Sequence, residues 1–95
     1  MAREPIHPGE ILADELKELG MSAAELARQI KVPANRISQI ISGKRSISAD
    51  TALRLGKWFG NGPKIWLNLQ QAYDLDVARL ELGKDLEIIK TREAA

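Results

Sequence analysis

The fold of this chain is decided by residues 22–45, which read SAAELARQIKVPANRISQIISGKR. Ser22 followed three residues later by Glu25 forms the capping-box pattern of a helix start. Apolar residues then recur at helical spacing in two groups, which are Leu26, Ala27 and Ile30, and Ile37, Ile40 and Ile41. Pro33 lies between the groups, and it lacks the N–H needed to continue the first helix. The stretch therefore predicts two helices joined by a short turn.

A further helix is predicted before this pair. Pro8 suits a first helical position and Gly20 suits a C-cap. The apolar face between them is formed by Leu12, Leu16 and Leu19. His7 immediately precedes this helix, so we expect it to be a cap or a surface residue and not a catalytic group.

Two more helices are predicted after the pair. Ser48 caps the fourth, whose apolar face carries Ala52, Leu55 and Phe59. GNGP at 60–63 ends it, and Pro63 can start a fifth helix, KIWLNLQQAY. That helix is apolar nearly all round, which fits either a dimer interface or a central helix wrapped by the others.

The end of the chain is predicted with less regular structure. Residues 75–82 are expected to form a separate short helix that Gly83 interrupts. The tail KDLEIIKTREAA then has two open interpretations, a strand edge or a weak helix. The aromatic residues are expected in the core and not as a base-stacking platform; they are Trp58, Phe59, Trp66 and Tyr73.

The net charge of +1 conceals an uneven distribution. Residues 28–57 contain seven basic residues and one acid, a net charge of +6. Residues 1–27 carry −4 and residues 58–95 carry −1. A basic middle between acidic ends indicates binding to a polyanion, with an ordinary solvated surface as the alternative.

Several classes of protein are disfavoured. No apolar run is long enough for a membrane span, and the N-terminus has no secretory h-region. The absence of cysteine suits the cytoplasm and excludes thiol chemistry. One histidine without grouped carboxylates predicts no metal site. Because catalytic motifs and phosphate-binding glycine loops are missing too, we expect neither an enzyme nor a cofactor.

The second helix of the central pair carries polar residues opposite its isoleucines. Glutamine and asparagine amides can bond adenine N6 and N7 together, and arginine can bond guanine O6 and N7. We therefore predict that Asn35, Ser38 and Gln39 read bases in the major groove of DNA. Arg36 can reach a base or a phosphate. The alternative is that these residues simply face solvent.

Phosphate contacts are predicted at both ends of the pair. Ser22 stands at a helix N-terminus, where free amides and the helix dipole favour an anion, although it is also a plausible cap. Lys44 and Arg45 follow the second helix as mobile basic groups in an exposed loop.

These residues carry a resemblance to known families. Residues 26–48, LARQIKVPANRISQIISGKRSIS, resemble the Xre/Cro-type helix-turn-helix family, which includes phage repressors. Three blocks in order resemble the narrower HigA-type antitoxins: HPGEIL at 7–12, VPANRISQIISGKRSISADTALRLGKWFG at 32–60, and WLNLQQAYDL at 66–75.

The resemblance implies an all-α fold, a five-helix Xre/Cro (lambda-repressor-like) domain with a short C-terminal helical extension. The single domain would span residues 1–95, with the core at 8–72, the helix-turn-helix at 22–42 and the extension at 73–95. By position, the groove-reading slots fall on Ala34, Asn35, Ser38 and Gln39. The phosphate contacts fall near Ser22, Arg36, Lys44 and Arg45.

The resemblance also implies a function. Such proteins are antitoxins that neutralise an mRNA-cleaving, ribonuclease-like toxin and repress their own operon as homodimers on palindromic double-stranded DNA. Lys31 departs from the pattern, because the wider family often has glycine there; a positive φ at Lys31 would cost about 1 kcal/mol. Two other functions remain open, a stand-alone regulator without a toxin and a protein-interaction module. A toxin could meet the acidic first helix, at Glu10, Asp14, Glu15 and Glu18.

Overall fold

The structure, a computed structural model, describes residues 4–93. This part of the chain forms six α-helices and contains no β-strand. The helices are α1 (Pro8–Leu19), α2 (Ala23–Ile30), α3 (Ala34–Ile41), α4 (Ala49–Phe59), α5 (Pro63–Leu82) and α6 (Lys84–Glu87). The predicted all-α class is confirmed. Residues 1–3 and 94–95 of the predicted domain lie outside the described residues.

His7 is the N-cap of α1, as expected. Its ring Nδ1 accepts a hydrogen bond from the Gly9 amide at 2.9 Å. The Glu10 carboxylate accepts one from the His7 amide at 3.2 Å, which completes a capping box. The His7 ring is buried and meets the edge of Tyr73, with ring centroids 4.8 Å apart. The cap therefore also ties the start of α1 to α5.

One apolar core joins the first five helices. It consists of Leu12, Leu16, Leu26, Ala27, Ile30, Ile37, Ile40, Ile47, Ala52, Leu55 and Trp66. Most of the predicted inward faces are confirmed, with Ile41 and Phe59 half-buried at the margin. The prediction that Leu19 faces the core is wrong, because Leu19 is 54% exposed. It occupies the last residue of α1, immediately before Gly20 turns the chain away.

Gly9 allows α1 and α3 to touch. A Cβ at this position would lie 1.8 Å from the carbonyl oxygen of Ile40. No real Cβ makes so short a contact, and the obstacle is backbone, which cannot rotate away as a side chain can. The glycine in HPGEIL is therefore required by packing against the C-terminal turn of α3.

The turn between α2 and α3 has the geometry that the family pattern suggested. Lys31 adopts φ 65° and ψ 47°, and it is the only residue of 4–93 other than glycine with a positive φ. Arg54 stabilises this turn by donating from Nη1 to the carbonyl oxygens of Ile30 and Lys31, at 2.8 and 3.2 Å. The left-handed residue is thus held by a contact from α4.

Helix α5 is a single 20-residue helix. The separate helix expected at 75–82 is wrong, because no glycine or proline interrupts the chain between Pro63 and Gly83. Among its apolar residues only Trp66 is buried, which excludes a central helix wrapped by the others. The exposed apolar residues of α5 are Ile65, Leu67, Leu75, Leu80 and Leu82. No helix within residues 4–93 has the length and apolarity to cross a membrane.

The tail adopts the helical alternative in part. Leu86 lies in α6, whereas Ile88 and Ile89 follow it in a turn and are 74% and 68% exposed. Most of their apolar surface is therefore left uncovered by residues 4–93.

Gly9→Ala is expected to lower the free energy of unfolding by about 3 kcal/mol or more, because α1 must move away from α3. Gly43→Ala is the matched control. Gly43 also needs a positive φ of 79°, but a Cβ there would meet nothing within 4 Å, so only a strain of about 1 kcal/mol is expected. Urea unfolding followed by circular dichroism measures both. Equal losses in the two variants would contradict the steric account.

Candidate nucleic-acid interface

The outward face of α3 holds the four predicted base-reading residues. Ile37 and Ile40 are fully buried on the inward face. Ala34, Asn35 and Ser38 are consequently exposed, and Gln39 is half-exposed. The Ser38 hydroxyl donates to the Asn35 carbonyl oxygen at 3.3 Å, while no side chain within residues 4–93 bonds the Asn35 amide group. The structure thus places all four on one side of a short, supported helix.

Arg36 is held by an acid that the sequence left unassigned. Its Nη1 donates to Oδ1 of Asp50 at 2.7 Å, and Nε of Arg54 donates to the same oxygen at 2.8 Å. Since Arg54 also binds the end of α2, one carboxylate connects α2, α3 and α4. Arg36 keeps its other N–H groups, so its role at a phosphate remains a prediction.

The two arginines hold the pKa of Asp50 below its ordinary value of 3.8, and the Arg54 hydrogen bond is the larger cause. Asp50 is the only acid in the basic middle of the chain. Its charge is therefore shared between Arg36 and Arg54. Within residues 4–93 no carboxylate pairs with the other basic residues of this region, which are Arg28, Lys31, Lys44, Arg45 and Lys57.

Ser22 is the N-cap of α2. Its hydroxyl accepts from the Glu25 amide, and the Glu25 carboxylate accepts from the Ser22 amide, both at 3.1 Å. The backbone hydrogen bond from Ser22 lowers the pKa of Glu25, so a negative charge stands at this helix start at neutral pH. The hydroxyl proton of Ser22 can still be donated, and a phosphate contact there remains a prediction.

The basic loop after α3 is exposed but anchored. Lys44 and Arg45 face solvent, and Arg45 Nε donates to Gln39 Oε1 at 2.8 Å. Beyond them, the Ile47 amide donates to the buried Gln70 side chain of α5 at 2.8 Å. Gln70 in turn donates to Asp74 at 2.9 Å and to the Ser46 hydroxyl at 3.3 Å. The backbone of the loop is therefore attached to α5 through the Gln70 side chain.

Three residues that position the site were missed from the sequence. A signal existed for each of them. Asp50 is the lone acid in a basic region, Arg54 follows it by one helical turn, and Gln70 is a polar residue close to Trp66 and Leu69 in α5. What the sequence could not provide is the partner of each, which lies 14 to 24 residues away.

The described residues contain no candidate metal centre: no three His, Asp or Glu side chains of 4–93 group in a way that could hold an ion. The arrangement offers hydrogen-bond donors, acceptors and positive charge on a protruding helix. These groups are suited to binding a polyanion that also presents hydrogen-bond donors and acceptors, as the grooves of a nucleic acid do.

Asp50→Asn should remove a pH-dependent part of the stability. Because the pKa of Asp50 is lowered in the folded chain, its stabilisation is present above its ordinary value of 3.8 and is lost as the pH falls through the lower, folded value. Unfolding of both proteins is measured in urea from neutral pH to about pH 2.5. The wild type should be more stable at neutral pH, and the difference should shrink in acid.

Asp76→Asn is the control for that experiment, since Asp76 makes a single exposed ion pair to Arg79 at 3.3 Å. It should change stability little, as is usual for such pairs. A difference between wild type and Asp50→Asn that is constant across the pH range would contradict the paired-carboxylate account.

Comparisons with known proteins agree with this geometry. The family model described as Helix-turn-helix matches residues 12–63. A HigA-family addiction module antidote protein from Coxiella burnetii is 53% identical, with 96% of this chain and 100% of that chain covered and a TM-score of 0.92. The Pseudomonas aeruginosa antitoxin HigA, solved with the higBA promoter, is 44% identical, with 95% and 100% covered and a TM-score of 0.89.

A third relative has a broader description. The uncharacterized HTH-type transcriptional regulator YddM of Escherichia coli is 36% identical over 87 residues, covering 84% of this chain and 92% of that protein. The matched family model, the level of identity and the near-complete coverage together show the family. This chain belongs to the HigA-type antitoxins of the helix-turn-helix family.

Proposed function

We propose that this chain is a DNA-binding antitoxin that represses its own operon as a homodimer and neutralises a ribonuclease-like toxin. The observation that carries the proposal is the outward face of α3, where Asn35, Ser38 and Gln39 face outward beside Lys44 and Arg45. Neither of these two basic residues has an acidic partner within residues 4–93. The relative solved with the higBA promoter has the same fold over nearly its whole length, which supports a DNA target of the same kind.

The proposed contact places α3 in the major groove. Its first residues would face base edges, and α2 would cross the backbone. We assign base reading to Ala34, Asn35, Ser38 and Gln39, and phosphate contacts to Ser22, Arg36, Lys44 and Arg45. The two groups do different work, because phosphate contacts set affinity and register whereas base edges carry sequence.

A homodimer is supported by the apolar surface that the single chain leaves open. Leu75, Leu80 and Leu82 of α5 and Leu86 of α6 are each more than 40% exposed. Burying such side chains against a second copy would contribute roughly 25 cal/mol per Å². A two-fold axis would then place two copies of α3 about 34 Å apart, facing successive major grooves of a palindrome.

A toxin partner is proposed for the acidic face of α1. Asp14, Glu15 and Glu18 are exposed, and Glu10 is committed to the capping box with His7. A basic ribonuclease-like toxin would complement the three exposed carboxylates, which lie outside the proposed DNA contact. The chain would act in the cytoplasm by binding alone, with no catalysis.

Gln39→Ala is expected to weaken binding to the specific operator by about 1–3 kcal/mol, because a paired base edge is lost. Gel-shift titration against the operator and a scrambled duplex measures the change. Affinity for the scrambled duplex should stay the same. Unchanged affinity for the operator would contradict the assignment of Gln39 as a base reader.

Lys44→Ala is the matched control for Gln39→Ala. It removes one exposed charge, so it should weaken binding to both duplexes and lower the slope of log affinity against log salt by about one. The two variants therefore distinguish loss of a base contact, which affects the operator alone, from loss of a positive charge, which affects both duplexes.

A second function is favoured by the E. coli relative, whose description names a transcriptional regulator and no toxin. The DNA-binding surface would be the same in such a protein. Co-expression with the small open reading frame beside this gene separates the two functions. An antitoxin should rescue growth and co-purify with the product of that frame.

The charge-reversed variant Asp14→Lys/Glu18→Lys refines the co-expression experiment. It should lose the co-purifying partner while keeping operator affinity, since both side chains are exposed and neither belongs to the proposed DNA contact. Absence of both rescue and co-purification in the wild type would leave the stand-alone regulator as the function.

A further inference from the structure

Gln39 is restrained before it meets any ligand. Its Oε1 accepts the Arg45 Nε–H at 2.8 Å. Arginine has no acceptor, so only the oxygen of the amide can face it. The orientation of the amide is thereby fixed, and the two Nε2 donors point away from Arg45.

The backbone brings Arg45 to this position. Gly43 adopts φ 79° at the end of α3, its amide donates to Ile40 O at 3.0 Å, and the Lys44 amide donates to Gln39 O at 2.8 Å. These two bonds form a Schellman cap, which turns the chain back along the helix that it leaves. Arg45 therefore lies beside Gln39, six residues earlier in the chain.

The other end of the loop is anchored as well. The Ile47 amide donates to Gln70 at 2.8 Å, so Arg45 lies between two backbone attachments only a few residues apart. Arg45 also has no acidic partner within residues 4–93, since Asp50 is bound by Arg36 and Arg54. The Gln39 oxygen is thus the polar contact that the structure gives to the Arg45 side chain.

We propose that Arg45 is a positioning residue that makes Gln39 select guanine over adenine in the operator. The inference rests on the proposed function. Guanine presents two acceptors in the major groove, N7 and O6, which suit two amide donors. Adenine presents N7 and the N6 amino group, so bidentate reading of adenine would require Oε1 to accept a second donor.

Arg45 opposes that second bond in two ways. It occupies one lone pair of Oε1 and sets a positive charge beside the same oxygen, where the N6 amino group would have to approach. It also polarises the amide, which strengthens the Nε2 donors toward an acceptor. This differs from the bidentate adenine contact that the glutamine side chain alone suggests.

The test uses two adjacent residues that carry the same charge. Arg45→Ala and Lys44→Ala each remove one exposed positive group, but only the Arg45 side chain bonds the Gln39 side chain. The backbone bond from the Lys44 amide to Gln39 is kept in both variants. Wild type, Arg45→Ala, Lys44→Ala and Gln39→Ala are each titrated against a set of operators. In each operator of the set, one base pair of the half-site is replaced. The comparison thus holds the change in charge constant while the Gln39 contact is removed in one variant alone.

Wild type should prefer guanine by about tenfold at the base pair where Gln39→Ala loses its preference. Lys44→Ala should keep this preference at lower overall affinity. Arg45→Ala should reduce the preference for guanine to about twofold or less, and only at that base pair. The double variant Gln39→Ala/Arg45→Ala should show no greater loss of preference at that base pair than Gln39→Ala alone. Identical base profiles for Arg45→Ala and Lys44→Ala would overturn the inference, as would a wild-type preference for adenine at that position.

A second measurement needs no DNA. The side-chain NH₂ group of Gln39 in the free protein should be ordered in NMR relaxation experiments, and Arg45→Ala but not Lys44→Ala should make it mobile. Equal mobility in all three proteins would overturn the inference even if DNA binding is specific. A wild type that is ordered at Gln39 but prefers no DNA sequence would instead contradict the proposed function.

Discussion

Burial of Ile37 and Ile40 is the constraint on which the whole surface depends. An eight-residue helix is too short to be stable alone in water, so α3 exists only because its apolar face is packed. Each isoleucine contributes roughly 1.5–3 kcal/mol when it is fully buried. Because both point inward, the helix period turns Asn35 and Gln39 outward. The direction of the proposed base-reading face is therefore a geometric consequence of the core, and a shift in which residues of α3 are buried would rotate that face.

The polar contacts around α3 have a different role. The Asp50 pairs are exposed, so their contribution to stability is modest. What they supply is direction, because a single carboxylate links Arg36 on α3 to Arg54, which binds the carbonyls at the end of α2. Gln70 does the same for the loop from its buried place on α5. The apolar core attaches α3 to the domain. The polar bonds orient α3 and the following loop relative to α2, α4 and α5.

The sequence predicted what local patterns encode and missed what distant contacts decide. Capping residues such as Ser22 and Ser48 gave the helix starts, and the spacing of isoleucines gave the face of α3. The predicted division of α5 into two helices was wrong, because no glycine or proline lies between Pro63 and Gly83 to break the helix. The exposure of Leu19 depends on where α1 passes the end of the core, which spacing alone does not contain. The role of Gln70 depends on a partner 23 residues away.

The Schellman cap connects two kinds of contact that are usually considered separately. A basic loop contributes charge, and such charge acts on every DNA sequence alike. Here Gly43 turns the loop back onto α3 and Arg45 bonds Gln39, so in the proposed complex Arg45 would contact a phosphate and restrain Gln39 at the same time. Under the proposal, a residue in this loop would influence sequence preference without touching a base. A substitution of Lys44 would change the charge of the loop alone, because its side chain makes no contact with Gln39. A substitution of Arg45 would change both the charge and the restraint on Gln39, so the position of each basic residue in the loop matters more than their number.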